Sequence, residues 1–256
     1  KDDKKIKKLN QGNSPIYEPG LDELIKKNFE AKRLSFTIDI NKAISVSDII
    51  FICVGTPTKK GSIKVDLSFV YKCTKEILKY SKRKKIIVTK STVPVGTGDE
   101  IEKILKKKKK LFTVISNPEF LREGEAIRDF RYPDRIVIGS NEKKTFNIMR
   151  KLYAPLTNKG SKFFITSRRG AELIKYASNA FLATKITFIN ELANLCEKSG
   201  VNIEDISLGM GSDSRIGGRF LRAGPAYGGS CFPKDTKGLV SVAEKYKINL
   251  SVVKSV

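Results

Sequence analysis

The sequence predicts an α/β protein: a doubly wound, mostly parallel sheet, then a long helix and the start of a second, mostly helical region. Three observations carry this. Short apolar runs that end in glycine, serine or proline recur along the first two thirds of the chain, as parallel strands buried on both faces require. Stretches of helical periodicity lie between them. From residue 170 to 198 the alternation stops, and apolar residues recur at helical spacing with no glycine or proline inside.

The elements follow in order. "SDIIFICVG" (47–55) is a continuous apolar run closed by glycine, the mark of a buried strand. A helix is expected over 67–81, a strand at "KIIVTKST" (85–92) and a helix over 97–108. "LFTVISNP" (111–118) and "RIVIGS" (135–140) read as strands flanking an irregular stretch. A helix over 142–153 and a strand at "KFFITS" (162–167) close the series. The long helix carries Leu173, Ile174, Phe181, Leu182, Ile186, Ile189, Leu192 and Leu195, and stops at Gly200, a natural C-cap. A helix of that length suits a connection between domains or the seam of a homodimer. Residues 201–256 read as loop-rich, then helical. The expected divisions are therefore 1–168, 169–200 and 201–256.

Composition narrows the function. The 256 residues are 40% hydrophobic and 30% charged, ordinary for a water-soluble globular chain. No apolar run approaches the ~20 residues that span a bilayer. "KDDKK" opens the sequence without a secretory leader pattern, so the expected compartment is the cytoplasm. Fifty Lys and Arg stand against 27 Asp and Glu, a net charge of +23. The basic runs at 82–85 and 106–110 fall at expected helix ends and turns, where lysine suits the helix dipole. They carry no interleaved aromatic platform, so neither a nucleic-acid nor a membrane partner is expected. The cysteines are Cys53, Cys73, Cys196 and Cys231, with no C-x-x-C and no histidine anywhere, which argues against a metal site. Disulfides are not expected in a reducing compartment. A Cys-His dyad is impossible, so a nucleophilic cysteine needs another activator.

The carboxyl ends of the expected strands, where open α/β sheets bind ligands, carry "VGTPT" (54–58), "KSTVPVGT" (90–97) and "SNPEFLREGEAIRDF" (116–130). Each has a plain reading: a strand exit, turn punctuation at Pro94 and Gly96, an exposed helical face bearing Glu119 and Glu123 at i,i+4. Further on, Lys175 and Asn179 share one face of the long helix. "YGGSCFPKD" (227–235) sets a thiol behind two glycines, as where a ligand presses on the backbone. Cys53 in its strand, and Cys73 and Cys196 on helices, read as packed side chains.

Taken in order with "KKIKKLNQGNSPIYEPGLDELI" (4–25) and "FLRAGPAYGGSCFPKDTKGL" (220–239), these motifs resemble the UDP-glucose/GDP-mannose dehydrogenase family over nearly the whole chain. That family oxidises the 6-hydroxymethyl group of a nucleotide sugar to a carboxylate with two NAD in succession. The resemblance implies that Cys231 is the nucleophile that captures an aldehyde. It makes Lys175 and Asn179 the groups that stabilise oxygen, and Asp235 and Thr92 the holders of a water for proton transfer. Glu119 would serve hydrolysis, and Glu123 would lie near cofactor and sugar. Val54, Gly55, Thr56, Pro57, Thr58, Ser91 and Thr92 would line NAD, with Lys5 near its adenosine ribose. Phe120, Leu121 and Arg122 would border the substrate, and Phe220, Leu221, Tyr227, Gly228 and Gly229 would form the loop around it. Arg215 would reach the sugar nucleotide of a neighbouring subunit in a homodimer or higher homo-oligomer.

The chemistry suits these roles. An aldehyde reaches the acid level by hydride loss only from a tetrahedral adduct; a thiolate supplies it, and the resulting thioester is open to water. A neighbouring ammonium holds the developing oxyanion, so histidine is not needed. One departure stands out: the family's G-x-G-x-x-G turn does not occur here. The resemblance therefore implies a Rossmann-like sheet lacking its first β-α-β unit, and a chain that opens at the end of a strand. By the same token the C-terminal nucleotide-sugar domain would be absent, and residues 1–256 alone would bind NAD poorly and turn over nothing. "YPDRIVIG" (132–139) and the cysteine loop favour the branch acting on UDP-glucose over those acting on GDP-mannose or a UDP-N-acetylhexosamine.

Overall fold

The computed structural model describes residues 2–106 and 111–256. Five strands form one sheet in the order β1-β2-β3-β4-β5: β1 (Ile49–Ile52), β2 (Lys85–Thr89), β3 (Phe112–Ser116), β4 (Arg135–Ser140) and β5 (Lys162–Thr166). β1, β2 and β3 run parallel, and so do β4 and β5. The two blocks meet antiparallel, with Ile115 opposite Ser140 and Ser116 opposite Gly139. A parallel crossover needs a helix that carries the chain back along the strands. The segment between β3 and β4 holds only the 6-residue α6 (Ala126–Arg131), so the chain reverses there.

Apolar periodicity makes the helices that cover the sheet: α4 (Ser68–Tyr80), α5 (Thr97–Leu105) and α7 (Lys143–Thr157). Val88, Ile115, Ile136, Ile138, Met149 and Tyr153 form a core cluster between sheet and α7. Each fully buried aliphatic side chain there contributes about 2 kcal/mol. The sequence ends α7 at residue 153; it runs on through Pro155 to Thr157, because a proline in the last turn removes only one late intrahelical bond. Part of the expected 97–108 helix and of the 106–110 basic run lies outside the described residues.

The N-terminal stretch holds three helices: α1 (Asp3–Asn10), α2 (Leu21–Glu30) and α3 (Ile40–Val46). Asp2 caps α1 by accepting from the Lys5 N–H at 3.1 Å, and Asp39 caps α3 by accepting from the Lys42 N–H at 2.9 Å. The expected strand end is thus replaced by a capped helix, and Lys5 stands exposed on it.

α8 (Arg168–Ser199) is a single helix of 32 residues, and Gly200 follows at φ +72°, the C-cap that the sequence predicts. After it come α9 (Ile203–Ser212), α10 (Phe232–Lys245) and α11 (Ser251–Lys254). The tail therefore opens with a helix instead of loop, since Asn202 caps α9 by accepting from the Glu204 N–H. Two compact units result: residues 1–55, 68–92 and 96–172, and residues 56–67, 93–95 and 173–256. The second unit has its own core, with Tyr176 and Ala180 of α8 against Leu239 of α10, joined by Leu250 and Val253. Gly238 permits the close approach there: a Cβ would stand 2.8 Å from Tyr176 Cε1 and force the ring to shift. Among the described residues no helix is long and apolar enough to cross a membrane.

Candidate active site

In the first unit, four of the expected cofactor residues, Val54, Gly55, Ser91 and Thr92, follow the ends of the neighbouring strands β1 and β2. The Ser91 hydroxyl donates to the carbonyls of Val54 (2.7 Å) and Ile52 (3.2 Å), tying the two strand exits together. Gly55 has open space where a side chain would stand. Thr92 follows directly, and the chain then turns through Gly96 at φ +96° into α5. The carboxylate of Glu172, buried near the start of α8, accepts from the N–H groups of Gly96 (2.7 Å) and Gly98 (2.8 Å) and from the Ser116 hydroxyl (3.0 Å). Burial pushes this carboxyl up to about 7, because three donors only partly replace lost water. Beside it, buried Arg168 binds Asp99 at 2.7 Å and Glu102 at 3.0 Å. Burial opposes ionisation of Asp99, but the hydrogen bonds from Arg168 and Arg169 prevail and hold it below the usual carboxylate range.

Cys53 differs from expectation. It lies just past the end of β1 and is exposed, because β1 is an edge strand here. Partial desolvation still raises its thiol, against the pull of Lys90. Cys196 is buried as expected, and Cys73 is partly so.

Glu119 and Glu123 do not share a helical face; they lie in an extended loop after β3. Proline at 118 keeps the preceding residue out of helical conformation, and Gly124 at φ +83° breaks the chain again. Within this loop Glu119 accepts the Leu121 N–H at 2.6 Å, and the Phe120 ring lies 3.9 Å from the Arg135 guanidinium. Arg122 is bound to Asp129 through Nε (3.0 Å) and Nη2 (2.6 Å). Those hydrogen bonds hold the Asp129 carboxyl well below its ordinary range.

In the second unit the constellation is tighter. Lys175, Asn179 and Asp235 are 4%, 6% and 1% exposed, polar groups almost wholly withdrawn from water. Asn179 Nδ2 donates to Asp235 Oδ2 at 2.6 Å, and the Lys234 ammonium binds the other carboxylate oxygen. Cys231 is the residue before α10, and its carbonyl accepts the Asp235 N–H at 2.9 Å. Its side chain is exposed, with Sγ 3.7 Å from the Ser230 hydroxyl. The positive end of α10 thus starts at the thiol-bearing residue.

The loop before it is tied at a few points. Leu221 is buried, and its carbonyl accepts the Ser207 hydroxyl at 2.7 Å. Gly224 N–H donates to Asn190 at 2.9 Å, and the Tyr227 hydroxyl to the Val256 carbonyl at 2.9 Å. Phe220 and Tyr227 both pack edge-on against Phe232, at 6.1 and 6.4 Å between ring centres. Gly229 adopts φ +77°, and Gly228 faces open space. Arg215 is exposed and paired with Asp213 at 2.6 Å. The segment Thr56-Pro57-Thr58 forms a short hairpin, with Thr58 bridged to Val65 and the Pro57 carbonyl accepting from Asp66 at 2.7 Å. The sequence sets Lys175 with Asn179 and Asp235 with Thr92; the structure joins Asn179 to Asp235. No sequence signal points to Glu172, whose partners lie 56 to 76 residues away.

Residues 1–157 match the UDP-glucose/GDP-mannose dehydrogenase family, NAD binding domain, and residues 169–256 match that family's central domain. The chain is 51% identical over 259 residues to a UDP-glucose 6-dehydrogenase of Rhizobium meliloti (strain 1021), a match covering 100% of this chain and 59% of the relative. The structure of a UDP-glucose dehydrogenase from Pyrobaculum islandicum superposes with a TM-score of 0.94 at 36% identity, covering 99% of this chain and 59% of that one. A ternary complex of GDP-mannose dehydrogenase from Pseudomonas aeruginosa gives a TM-score of 0.80 at 34% identity, covering 99% and 60%.

Proposed function

The chain belongs to the UDP-glucose/GDP-mannose dehydrogenase family, and from that premise we propose that it oxidises the 6-hydroxymethyl group of UDP-glucose to a carboxylate with two NAD, through a covalent adduct on Cys231. The observation that carries the proposal is the buried Asn179–Asp235 hydrogen bond, with Lys175 one turn away on α8 and Cys231 one turn before Asp235. Such a set of buried polar groups on two packed helices is costly without a task.

The residues present fit the cofactor. Gly55 leaves open space at the carboxyl ends of two parallel strands, as a dinucleotide requires. Val54, Gly55, Ser91 and Thr92 would hold it, with Thr56, Pro57, Thr58, Glu123 and Lys5 as further contacts. When bound, NAD supplies the acceptor for the two hydrides that leave C6. The chain's own residues do the rest. Asp235 takes up the hydroxyl proton through water, the duty Thr92 shares, as the first hydride leaves and the aldehyde forms. Cys231 gives its thiol proton to water and its sulfur adds to the aldehyde carbon. Its oxygen becomes an alkoxide held by the Lys175 ammonium and by the second hydrogen of Asn179 Nδ2, the first being spent on Asp235. Loss of the second hydride from that carbon leaves a thioester. Water, activated by Glu119, attacks it; the C–S bond breaks, Cys231 is regenerated and the carboxylate departs. One water is consumed per sugar.

Phe120 to Glu123 and the loop containing Phe220, Leu221, Tyr227, Gly228 and Gly229 are proposed to enclose the sugar nucleotide. The protein is also proposed to act as a homodimer. Leu173, Phe181, Phe188 and Leu195 are exposed along α8 at spacings that keep them on one face, an apolar stripe suited to a second copy. Exposed Arg215 is available to reach the neighbour's substrate.

The test is stoichiometric. Each UDP-glucose should yield two NADH, with no aldehyde trapped by hydroxylamine. One NADH per sugar with free aldehyde would remove the covalent step. Faster turnover of GDP-mannose or a UDP-N-acetylhexosamine would reassign the substrate.

A further inference from the structure

The segment "NSPIYEPG" (13–20) has no part in the chemistry above, yet it is tied to the substrate loop. It buries little: Ile16 is 67% and Tyr17 90% exposed, so apolar packing does not explain its conformation. Local hydrogen bonds shape it instead. Ser14 N–H donates to Asp22 at 2.6 Å, Leu21 N–H to the Glu18 carbonyl at 3.0 Å, and Gly20 takes φ +80° to start α2. This turn directs the Glu18 side chain at a segment more than a hundred residues later. Its Oε2 accepts the Gly124 N–H at 3.0 Å and its Oε1 the Ala126 N–H at 2.8 Å.

We propose that Glu18 is a positioning residue for the nucleotide sugar, one that fixes the backbone after Glu123 and so sets the 119–123 loop before substrate arrives. The proposal rests on the reading that this loop borders the sugar. Two ends of the loop are then held by different means. Arg122, though exposed, is tied to α6, its N–H and guanidinium both donating to Asp129. Just beyond Glu123 the chain must take a left-handed turn at Gly124, where two N–H groups lack helical partners. A carboxylate satisfies both at once, and bonds from N–H to a charged acceptor are stronger than neutral ones. Glutamine offers a single acceptor and turns its amide hydrogens toward the second N–H; aspartate is one methylene short. A loop already in its bound shape spares the ligand the entropy of ordering it, which appears in affinity and not in the chemical step.

Glu18→Ala should raise KM for UDP-glucose about tenfold, the scale of a lost charge-assisted hydrogen bond, with smaller changes, under about threefold, in KM for NAD and in kcat, which this loop touches only through Glu123 and Glu119. Glu18→Gln should fall between. Amide hydrogen exchange over residues 121–126, measured without ligand, should accelerate in both variants in the same order. Unchanged exchange overturns the tether. Faster exchange with an unchanged KM for the sugar nucleotide overturns the positioning role, leaving Glu18 a helix cap. An equally large rise in KM for NAD, or an equally large loss of kcat, points to general destabilisation and overturns it too. A wild-type protein that oxidises no nucleotide sugar sinks the proposed function and with it the role at the substrate, while the exchange arm still reads the tether itself.

Discussion

Two stretches of backbone, one in each unit, are built in opposite ways. In the first unit, the turns after β2 and β3 are exposed in part but stapled by distant carboxylates: Glu172 to Gly96, Gly98 and Ser116, Glu18 to Gly124 and Ala126. In the second unit, residues 228–231 are all exposed, Gly228 meets no neighbouring atom, and the thiol of Cys231 points to solvent. The helices that flank this loop are fixed by the Asn179–Asp235 bond and by Tyr176 packed on α10. On the proposed function the difference separates two tasks. Groups proposed to position cofactor and stabilise oxygen would gain from rigidity. A loop proposed to admit a sugar and then enclose it would gain from leaving its ordering entropy, about 1–2 kcal/mol per residue, to be met by the ligand.

The comparison breaks first at Cys231. If the exposed thiol is the nucleophile, Cys231→Ala loses the net four-electron oxidation entirely while substrate still binds. Cys231→Ser is also severely impaired, for a separate reason: a hydroxyl is a weaker nucleophile, and its ester resists water more than a thioester does. A covalent sugar adduct on the serine variant, seen by intact mass, would sharpen the assignment. Two NADH per sugar from the alanine variant at near wild-type rate would leave the loop without a chemical role.

Lys175→Ala tests the fixed side. Removing a preorganised charge beside a developing oxyanion typically costs about 3 kcal/mol, a hundredfold or more in rate. The loss should appear in kcat with little change in KM for the sugar nucleotide. A rise in KM alone would mean that Lys175 binds ground state and transition state equally.

The sequence reveals the two regions unequally. β2 and β4 are continuous apolar runs, and the alternation of such runs with amphipathic stretches suffices to place them. That Lys175 and Asn179 share a face of α8 follows from i,i+4 spacing, which is local; the roles proposed for them and for Cys231 and Asp235 come from the family resemblance. The staples do not follow. Nothing near Glu18 or Glu172 indicates that each will be satisfied by backbone N–H groups 106 or 74 residues away. The reversal between β3 and β4 hides for a similar reason: strand direction depends on what the connecting segment can span. Cys53 reads as packed because an apolar run does not show which strand will be at the edge.

Stapling has a cost that depends on pH. Glu172 sits at about 7 in the fold against an ordinary 4.5, chiefly because of burial. The folded state therefore binds its proton more tightly than the unfolded chain. The stability this adds is complete below pH 4.5 and is lost as pH rises to about 7, a change of about 3 kcal/mol. Asp99 and Asp129 act in the opposite sense: held low, they add stability above the ordinary aspartate range that disappears as pH falls through it. The two effects occupy separate windows. Urea unfolding between pH 5 and 8 should show stability falling in the wild type, and Glu172→Gln should flatten the slope. The same slope in the variant would mean that another group carries it.

The smallest effect comes from a pair of glycines, one in each kind of backbone. Gly238 lies inside α10 with a missing Cβ only 2.8 Å from Tyr176 Cε1 and 3.1 Å from its hydroxyl oxygen. Alanine there gains about 1 kcal/mol of helix propensity. It also forces a buried ring to move in a packed core, which typically costs 1–3 kcal/mol. The net is about 1 kcal/mol of lost stability, and the shift separates Asp235 from Asn179, so activity falls as well. Gly228 sits four residues before the start of α10, has no atom within reach of an added Cβ, and does not need a left-handed φ. Alanine there should change unfolding free energy by less than about 0.5 kcal/mol, the ordinary range for an unencumbered surface site. If nothing in the protein demands a glycine at 228, its absent side chain makes room for something that arrives. Gly228→Ala should then leave the melting curve in place and raise KM for the sugar nucleotide. A lowered melting temperature would place Gly228 among the stapled positions, and an unchanged KM would show that the sugar does not approach this backbone.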